Sequence, residues 1–346
     1  MTAQYFKHTL QFKQASGTSR GILKTKDSWF LKVTNGDAIG IGECGLLKGL
    51  SVDDRKDYEY TLNWVCSNIH LGLPKLYKKL EEFPSIQFGL EMAFKSLESE
   101  HPYELFPSDF TRGNDSIPIN GLVWMGEKSF MKSQIETKVK EGFKCIKLKI
   151  GAIDFQSEIE LLKYIRSQFS EKDIEIRVDA NGAFSTKDAL EKLKTLSEFK
   201  LHSIEQPIQQ GQWQEMAKLC EKTPLDIALD EELIGVFKSE NKSRLLNTIK
   251  PQYIILKPSL IGGFKGSKSW ISLAKSLKVG WWLTSALESN VGLNAISQFT
   301  YNLDTSMYQG LGTGSLYTNN FESPLYIKKG HICYDPNLNW NVSFKD

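Results

Sequence analysis

The sequence predicts an α/β fold, a TIM-like barrel of parallel strands with a small α+β domain before it. Three observations carry this reading. Between residues 117 and 311, short apolar runs alternate with helix-length amphipathic segments, and parallel strands need such crossovers. Five successive runs end on a charged residue: Lys149, Asp179, Glu205, Asp230 and Lys257, at spacings of 30, 26, 25 and 27 residues. One strand, one helix and two short loops fill that spacing, so the five charges point to the same end of a barrel. Finally, the chain has 346 residues, more than the roughly 250 of a barrel alone. The expected division is 1–115 for the smaller domain, joined by the tail 322–346, and 116–321 for the barrel.

The first 43 residues are rich in β-formers. Strands are expected at 5–12, 28–33 and 38–42, with Asn35-Gly36 as a hairpin turn. Helices are expected at 53–70 and 84–99, the second from the mostly helical spacing of Ile86, Leu90, Met92, Ala93 and Leu97. Between strands and helices lies an apolar loop, 45–51, with glycines at 45 and 49. It reads equally as a substrate lid or a buried turn.

From Ile117 the pattern becomes strand, helix, strand. Strands are expected at 117–124, 144–150, 175–179, 201–205, 226–230, 253–257, 280–284 and 307–311. Helices fall between them, at 130–141, 155–169, 186–196 (Ser185 as its N-cap), 213–222, 238–247, 265–277 and 291–300. The runs are short and apolar, as strands buried on both faces are. Residues 325–334 read as a further hairpin that returns to the N-terminal domain.

Composition excludes several classes of function. Hydrophobic residues make up 40%, and 43 basic residues balance 41 acidic ones to a net charge of +2. Nothing in that balance calls for a nucleic-acid partner. No run reaches the roughly 20 apolar residues of a membrane span, and the N-terminus lacks a signal-like apolar core. Cys44, Cys66, Cys145, Cys220 and Cys333 are odd in number and widely spaced. They read as free thiols in a reducing, cytoplasmic setting. Oligomeric state is open at this level.

Asp179, Glu205 and Asp230 offer three hard oxygen donors on adjacent strands, which suits Mg²⁺, with Mn²⁺ as the alternative. No His or Cys cluster points to zinc. Lys147 and Lys149 share one face of their strand, where an unpaired ammonium is costly. They read either as salt-bridge partners of the carboxylates or as a base pair with Lys257 across the barrel. Opposed amines around a divalent cation suit removal of a proton next to a carboxylate. The substrate class is therefore a small-molecule carboxylate.

The motifs Lys147-Leu148-Lys149, Val178-Asp179-Ala180-Asn181, Ile204-Glu205-Gln206-Pro207, Leu229-Asp230-Glu231 and Leu256-Lys257-Pro258 resemble those of the enolase superfamily, muconate-lactonising subgroup. The resemblance spans the whole chain. It implies a (β/α)7β barrel with an α+β capping domain, Mg²⁺ on Asp179, Glu205 and Asp230, and catalytic Lys149 and Lys257. Arg177, the stretch 285–292 and Gly310-Leu311-Gly312-Thr313-Gly314 are similar to members that form o-succinylbenzoate in menaquinone biosynthesis. These members dehydrate 2-succinyl-6-hydroxy-2,4-cyclohexadiene-1-carboxylate. By resemblance Lys149 takes the α-proton and Lys257 stabilises the enolate from the other face. Dipeptide epimerisation and N-succinylamino-acid racemisation use the same geometry, although residues 309–312 carry no acid for a dipeptide ammonium. A non-catalytic metal-binding barrel is the alternative of another class.

Further contacts are expected at Asn181, to a metal ligand or a lysine, and at Ser285 and the amides near Gly262, to a second substrate carboxylate. Each also reads as local structure: a helix cap or a tight βα turn. Arg177 is expected to contact substrate or the barrel's own carboxylates. Glu231 is expected to pair Lys257 or to be a loop charge. Trp281 and Trp282 are expected to pack.

Overall fold

Asn35-Gly36 closes a hairpin because Gly36 adopts φ 62° at no steric cost. In the computed structural model, which describes residues 1–18, 21–151, 153–303 and 305–344, the three N-terminal strands are Thr2–Thr18, Gly21–Asn35 and Ala38–Cys44. They form one antiparallel sheet in sequence order. The first two run well past the expected bounds, since a backbone ladder continues without an apolar face to cover. The last two residues of the expected tail lie outside the described residues.

Helix Pro84–Leu97 starts on a proline, whose missing N–H costs nothing there. It lies against the third strand at backbone distance. A Cβ at Gly42 would stand 1.9 Å from the Gly89 carbonyl oxygen, and one at Gly40 would stand 2.1 Å from that of Ala93. Trp29, Leu31, Leu62, Val65, Ile86 and Leu90 fill the core between sheet and helices. The helix expected from residue 53 begins only at Tyr58. The buried Asp53 accepts from Ser85 N (2.9 Å) and Ser85 Oγ (2.6 Å) instead, so it serves the helix of Pro84 and not its own.

Seven parallel strands follow: Gly121–Val123, Cys145–Lys149, Glu175–Asp179, Ser203–Glu205, Ile227–Leu229, Tyr253–Leu256 and Gly280–Leu283. They lie side by side in chain order. Their register sets Lys149 beside Asp179, and Asp179 beside Glu205. Helices Lys128–Lys140, Phe155–Gln168, Ala189–Ser197, Trp213–Lys222, Ser239–Ile249, Gly263–Ser276 and Asn290–Tyr301 connect or follow them. The third begins three residues later than expected: Ser185 Oγ and the Asp188 side chain bond each other in a turn before it.

An eighth strand at 307–311 does not form. Gln309 and Gly310 make single parallel bridges to Ile119 and Thr284, one at each edge of the sheet. The reason is local. The fully buried Gln309 side chain accepts from Leu283 N (2.8 Å) and donates to Met307 O (2.6 Å), taking places a longer ladder would use. The tail divides its contacts. Its hairpin, Leu325–Lys328 and His331–Tyr334, pairs with Ile117–Pro118. Phe321, Trp340 and Phe344 pack beyond it on Phe6, Phe30 and Tyr103.

One carboxylate ties the two sheets' helices together. Glu91 accepts from Phe264 N (2.5 Å) and Lys265 N (3.1 Å) at the start of helix Gly263–Ser276. Burial pushes its carboxyl from 4.5 up to about 7, against the pull of those two amides. A carboxyl raised in the folded state keeps its proton there longer than in the unfolded chain. Its stabilising contribution is therefore full below about pH 4.5 and is lost as pH rises through about 7. Thermal melts of wild type and Glu91→Gln should show the wild type losing ground steadily between those pH values. A pH-independent difference would contradict this.

Candidate active site

The ends of the parallel strands put three ammonium groups and three carboxylates in one place. Lys147 Nζ pairs with Asp179 Oδ2 (2.9 Å) and with Glu205. Lys149 Nζ donates to Asp179 Oδ2 (3.0 Å) and to Asn181 Oδ1 (2.7 Å). Lys257 Nζ donates to Asp230 Oδ2 (2.5 Å). All three carboxylates are buried. Burial pushes the Asp179 carboxyl up, but Lys147 and Lys149 outweigh it and hold the group well below the usual range. Burial also opposes charge on Lys147, yet Asp179, Glu205 and Asp230 raise it above an ordinary lysine. Glu205 goes the other way: burial, with Asp179 and Asp230 alongside, lifts it to about 7 against the pull of Lys147.

The same lysines line a cavity of about 370 Å³ whose other walls come from every quarter of the chain. Leu122 stands on the first strand of the sheet and Trp124 directly after it, and Ala286 and Leu287 follow the last strand. Leu47, Lys48, Gly49 and Leu50, from the apolar loop, close it from above together with Leu23. The expected buried turn holds in part: Leu46 and Leu47 are buried, while Lys48 and Gly49 are exposed at the rim.

Gln206, which the sequence had not singled out, and Asn181, whose expected bond to a lysine forms, hold the site in shape. Gln206, at φ 38°, accepts through Oε1 from Asp230 N (3.2 Å) and Glu232 N (3.3 Å). Its Nε2 donates to Glu232 Oε2 (3.0 Å). A buried side chain bonded on both ends fixes the turn that carries Asp230, and the unfavourable backbone is the cost. Asn181, also at positive φ (45°), donates from Nδ2 to Glu231 Oε1 (3.0 Å) while accepting from Lys149. It thereby connects a lysine to the buried Glu231. The Glu205-Gln206 and Asp230-Glu231-Glu232 strings were the available signals, since polar runs directly after apolar strands need partners.

A second buried cluster ties the N-terminal sheet to the cavity wall. Glu43 accepts from Ser28 Oγ (2.8 Å), Ser289 N (3.0 Å), Ser289 Oγ (2.6 Å) and Gly292 N (2.9 Å). It so caps helix Asn290–Tyr301 from another part of the chain. Lys26 Nζ lies 4.0 Å from Glu43 Oε1 and donates to Ser28 Oγ (2.8 Å). Burial lowers that ammonium, against Glu43 and Glu288. Glu288 accepts from Ser259 Oγ (2.5 Å), Ser285 Oγ (2.7 Å) and Ala286 N (2.7 Å).

Two sequence expectations, Gly262 and Ser285, need correction, and a third is decided between its alternatives. Gly262 is not part of the cavity wall: its carbonyl accepts from Tyr77 Oη (2.6 Å), and the amides that follow it are taken by Glu91. Arg177 takes the second of its two expected roles: buried away from the cavity and stacked 4.2 Å over Trp282, it pairs with the strand carboxylate Glu175 (2.7 Å) and donates to Tyr308 O. Ser285 does line the cavity, but its proton goes to Glu288, while Thr313 Oγ1 and Leu287 N donate to its oxygen. It has nothing left to offer a substrate carboxylate.

A family model described as enolase C-terminal domain-like matches residues 131–335. The chain belongs to the enolase superfamily. It is 48% identical to o-succinylbenzoate synthase of Desulfotalea psychrophila over 95% of this chain and 98% of that protein. The crystal structure of MenC from the same organism superposes with a TM-score of 0.86 at 44% identity, covering 96% of this chain and 99% of that one. Muconate lactonizing enzyme from Pseudomonas fluorescens shares the superfamily fold at 17% identity and a TM-score of 0.85.

Superfamily membership raises the question of a metal, and the donors suit one. Asp179, Glu205 and Asp230 present only hard oxygens, and Glu205 Oε1 is enclosed without a hydrogen-bond partner. Among the described residues no three such side chains converge as a ready-made metal cluster. Here the carboxylates turn to the lysines instead, as expected when ammonium groups supply the only positive charge. For the cap junction, Glu43→Ala should cost about 3–5 kcal/mol in urea unfolding, because it strands Lys26 and four donors. A loss below about 1 kcal/mol would show the cluster to be incidental.

Proposed function

We propose that this chain is a hydro-lyase that converts 2-succinyl-6-hydroxy-2,4-cyclohexadiene-1-carboxylate to o-succinylbenzoate, the reaction of its D. psychrophila relative, in a cytoplasmic menaquinone pathway. The observation that carries this is the placement of Lys149 at the end of the second strand of the sheet and Lys257 just past the end of the sixth, both lining one cavity with Asp179. The bridges that Gln309 and Gly310 make to both sheet edges support reading the sheet as a closed (β/α)7β barrel. Its capping unit would be 1–115 together with the tail.

Mg²⁺ held by Asp179, Glu205 and Asp230, with Mn²⁺ as the alternative, supplies a fixed double positive charge for a substrate carboxylate. Lys149 takes the proton from ring carbon 1. The C6–O bond then breaks, the electron pair left on carbon 1 forms the C1–C6 double bond, and the oxygen leaves as water with the proton that Lys149 carries. Lys147 keeps its charge beside the carboxylates. Lys257, on the opposite ring face, places a second ammonium near the developing negative charge. Asn181 holds Lys149 at the angle its hydrogen bond defines. The new ring is aromatic, so the chemical barrier is modest and most of the protein's task is positioning.

The cavity also separates this reading from the dipeptide alternative. Gly310 and Gly312 line it where an acid would be needed to pair a dipeptide ammonium. The apolar walls suit a ring. Lys48 at the rim is the ammonium outside the buried cluster, and we assign it the distal succinyl carboxylate in place of Ser285.

Turnover should be followed by product absorbance. Activity should vanish with EDTA and return with Mg²⁺, and Lys149→Ala should lower kcat by roughly 10²–10⁴-fold without unfolding the protein. Deuterium exchange into L-Ala-Glu or N-succinylamino acids without dehydration would instead establish an epimerase or racemase. Lys48→Met should raise KM by about tenfold at nearly constant kcat; an unchanged KM would place the distal carboxylate elsewhere.

A further inference from the structure

The neutral polar side chains around the cavity are nearly all engaged by the protein itself. Asn181 bonds Lys149 and Glu231. Thr284 Oγ1 donates to Gly310 O (3.0 Å), Thr313 Oγ1 donates to Ser285, and Ser285 donates to Glu288. Asn120 is the exception. It lines the cavity at 5% exposure. Its Oδ1 is enclosed with no partner, and among the described residues its side chain makes no hydrogen bond.

Its place in the sheet gives this meaning. Asn120 stands directly before strand Gly121–Val123 and Trp124 directly after it, and both line the cavity with Leu122 of that strand. The Asn120 backbone N–H donates to Gln309 O (3.0 Å), so the residue stands where the two sheet edges meet. The strands of Asp179, Glu205 and Asp230 lie two to four places away in the sheet order. With Oδ1 enclosed, the amino end of the amide is left for the cavity. An amide buried to this degree without partners is costly, and a ligand that bonds its amino end recovers part of that cost.

We propose that Asn120 is a substrate-binding residue whose Nδ2 donates to the ketone oxygen of the succinyl arm. The inference rests on the function proposed above and adds to it the recognition of one substrate group. Two carboxylates, one hydroxyl and one ketone are the polar groups of that substrate. The carboxylates are charged and match ammonium groups or a cation. The hydroxyl must remain accessible to Lys149 as it leaves. The ketone is a neutral acceptor, and a neutral amide donor binds it without requiring a counter-charge. A site built to bond a carbonyl also discriminates against analogues lacking one, because the donor is then left unpaired.

The product keeps the ketone and both carboxylates and loses only the hydroxyl, which makes the test selective. Wild-type turnover of the cyclohexadiene tests the function; the binding of o-succinylbenzoate to variants tests Asn120. Asn120→Leu and Asn120→Asp should each raise KM roughly 10-fold or more, change kcat less than about 3-fold, and weaken product binding by the same factor as KM. Asp preserves the shape while removing the donor and adding a negative charge, so it serves if the leucine variant folds poorly, and the uncharged leucine separates the two effects; Asn120→Thr, which restores a donor, should recover part of the loss. Product affinity unchanged in both variants would overturn the assignment, whether or not turnover falls. So would a loss confined to kcat, which would place the contact on the departing hydroxyl.

Discussion

Three ammonium groups and three carboxylates buried within hydrogen-bonding distance set the terms for the rest of this molecule. Any one of them alone in the interior would cost several kcal/mol. Together they are tolerable only while each pair stays in contact, so the strands that bear them must hold register. Parallel pairing does that directly, since Lys149, Asp179 and Glu205 are cross-strand neighbours. The less regular members, Asp230 and Lys257, lie just past their strand ends. There Gln206 and Pro258 take over from the sheet: the first by side-chain bonds to the turn, the second by starting a short helix. The positive φ of Asn181 and Gln206 falls where this demand is greatest, as strain at a functional site does.

The N-terminal sheet meets a related demand at its junction with the parallel sheet. A cavity that strengthens charge interactions must exclude water, and here the roof is a loop from the N-terminal part of the chain. Glu43, Lys26 and Glu288 join the base of that roof to the helix and turn behind Ala286 and Leu287. Glu91 makes a second attachment on the next helix. Both use a carboxylate from one part to cap a helix of the other, so the contact gains from the helix dipole as well as from individual hydrogen bonds. The glycines at 40 and 42 allow the third strand to approach its helix closely enough for Glu43 to be placed so deeply.

Legibility from sequence differed by element. The repeating strand–helix spacing was readable because a buried parallel strand must be short and apolar and its crossover must be long enough to return. The charged strand ends stood out against that background. At residues 307–311 the reading failed, because a glutamine side chain there satisfies backbone groups that a strand would pair. The start of the helix expected at 53 was displaced for a similar reason: Asp53 is engaged by a residue 32 positions away. Arg177 obeyed alternation and still missed the cavity. Facing inward does not specify depth, and Trp282 and Glu175 hold it at another level.

By itself the sequence determined the type of chemistry this chain can support, since period, strand polarity and residue type decide which charges share one end of a sheet. Tertiary structure alone decided which polar groups remain free for a ligand. Ser285 and the amides after Gly262 looked available until their protons were found committed to Glu288 and Glu91, while Asn120 and Lys48 carried no distinguishing mark in the chain. A hydrogen bond has two ends, and the partner's position is a property of the folded molecule.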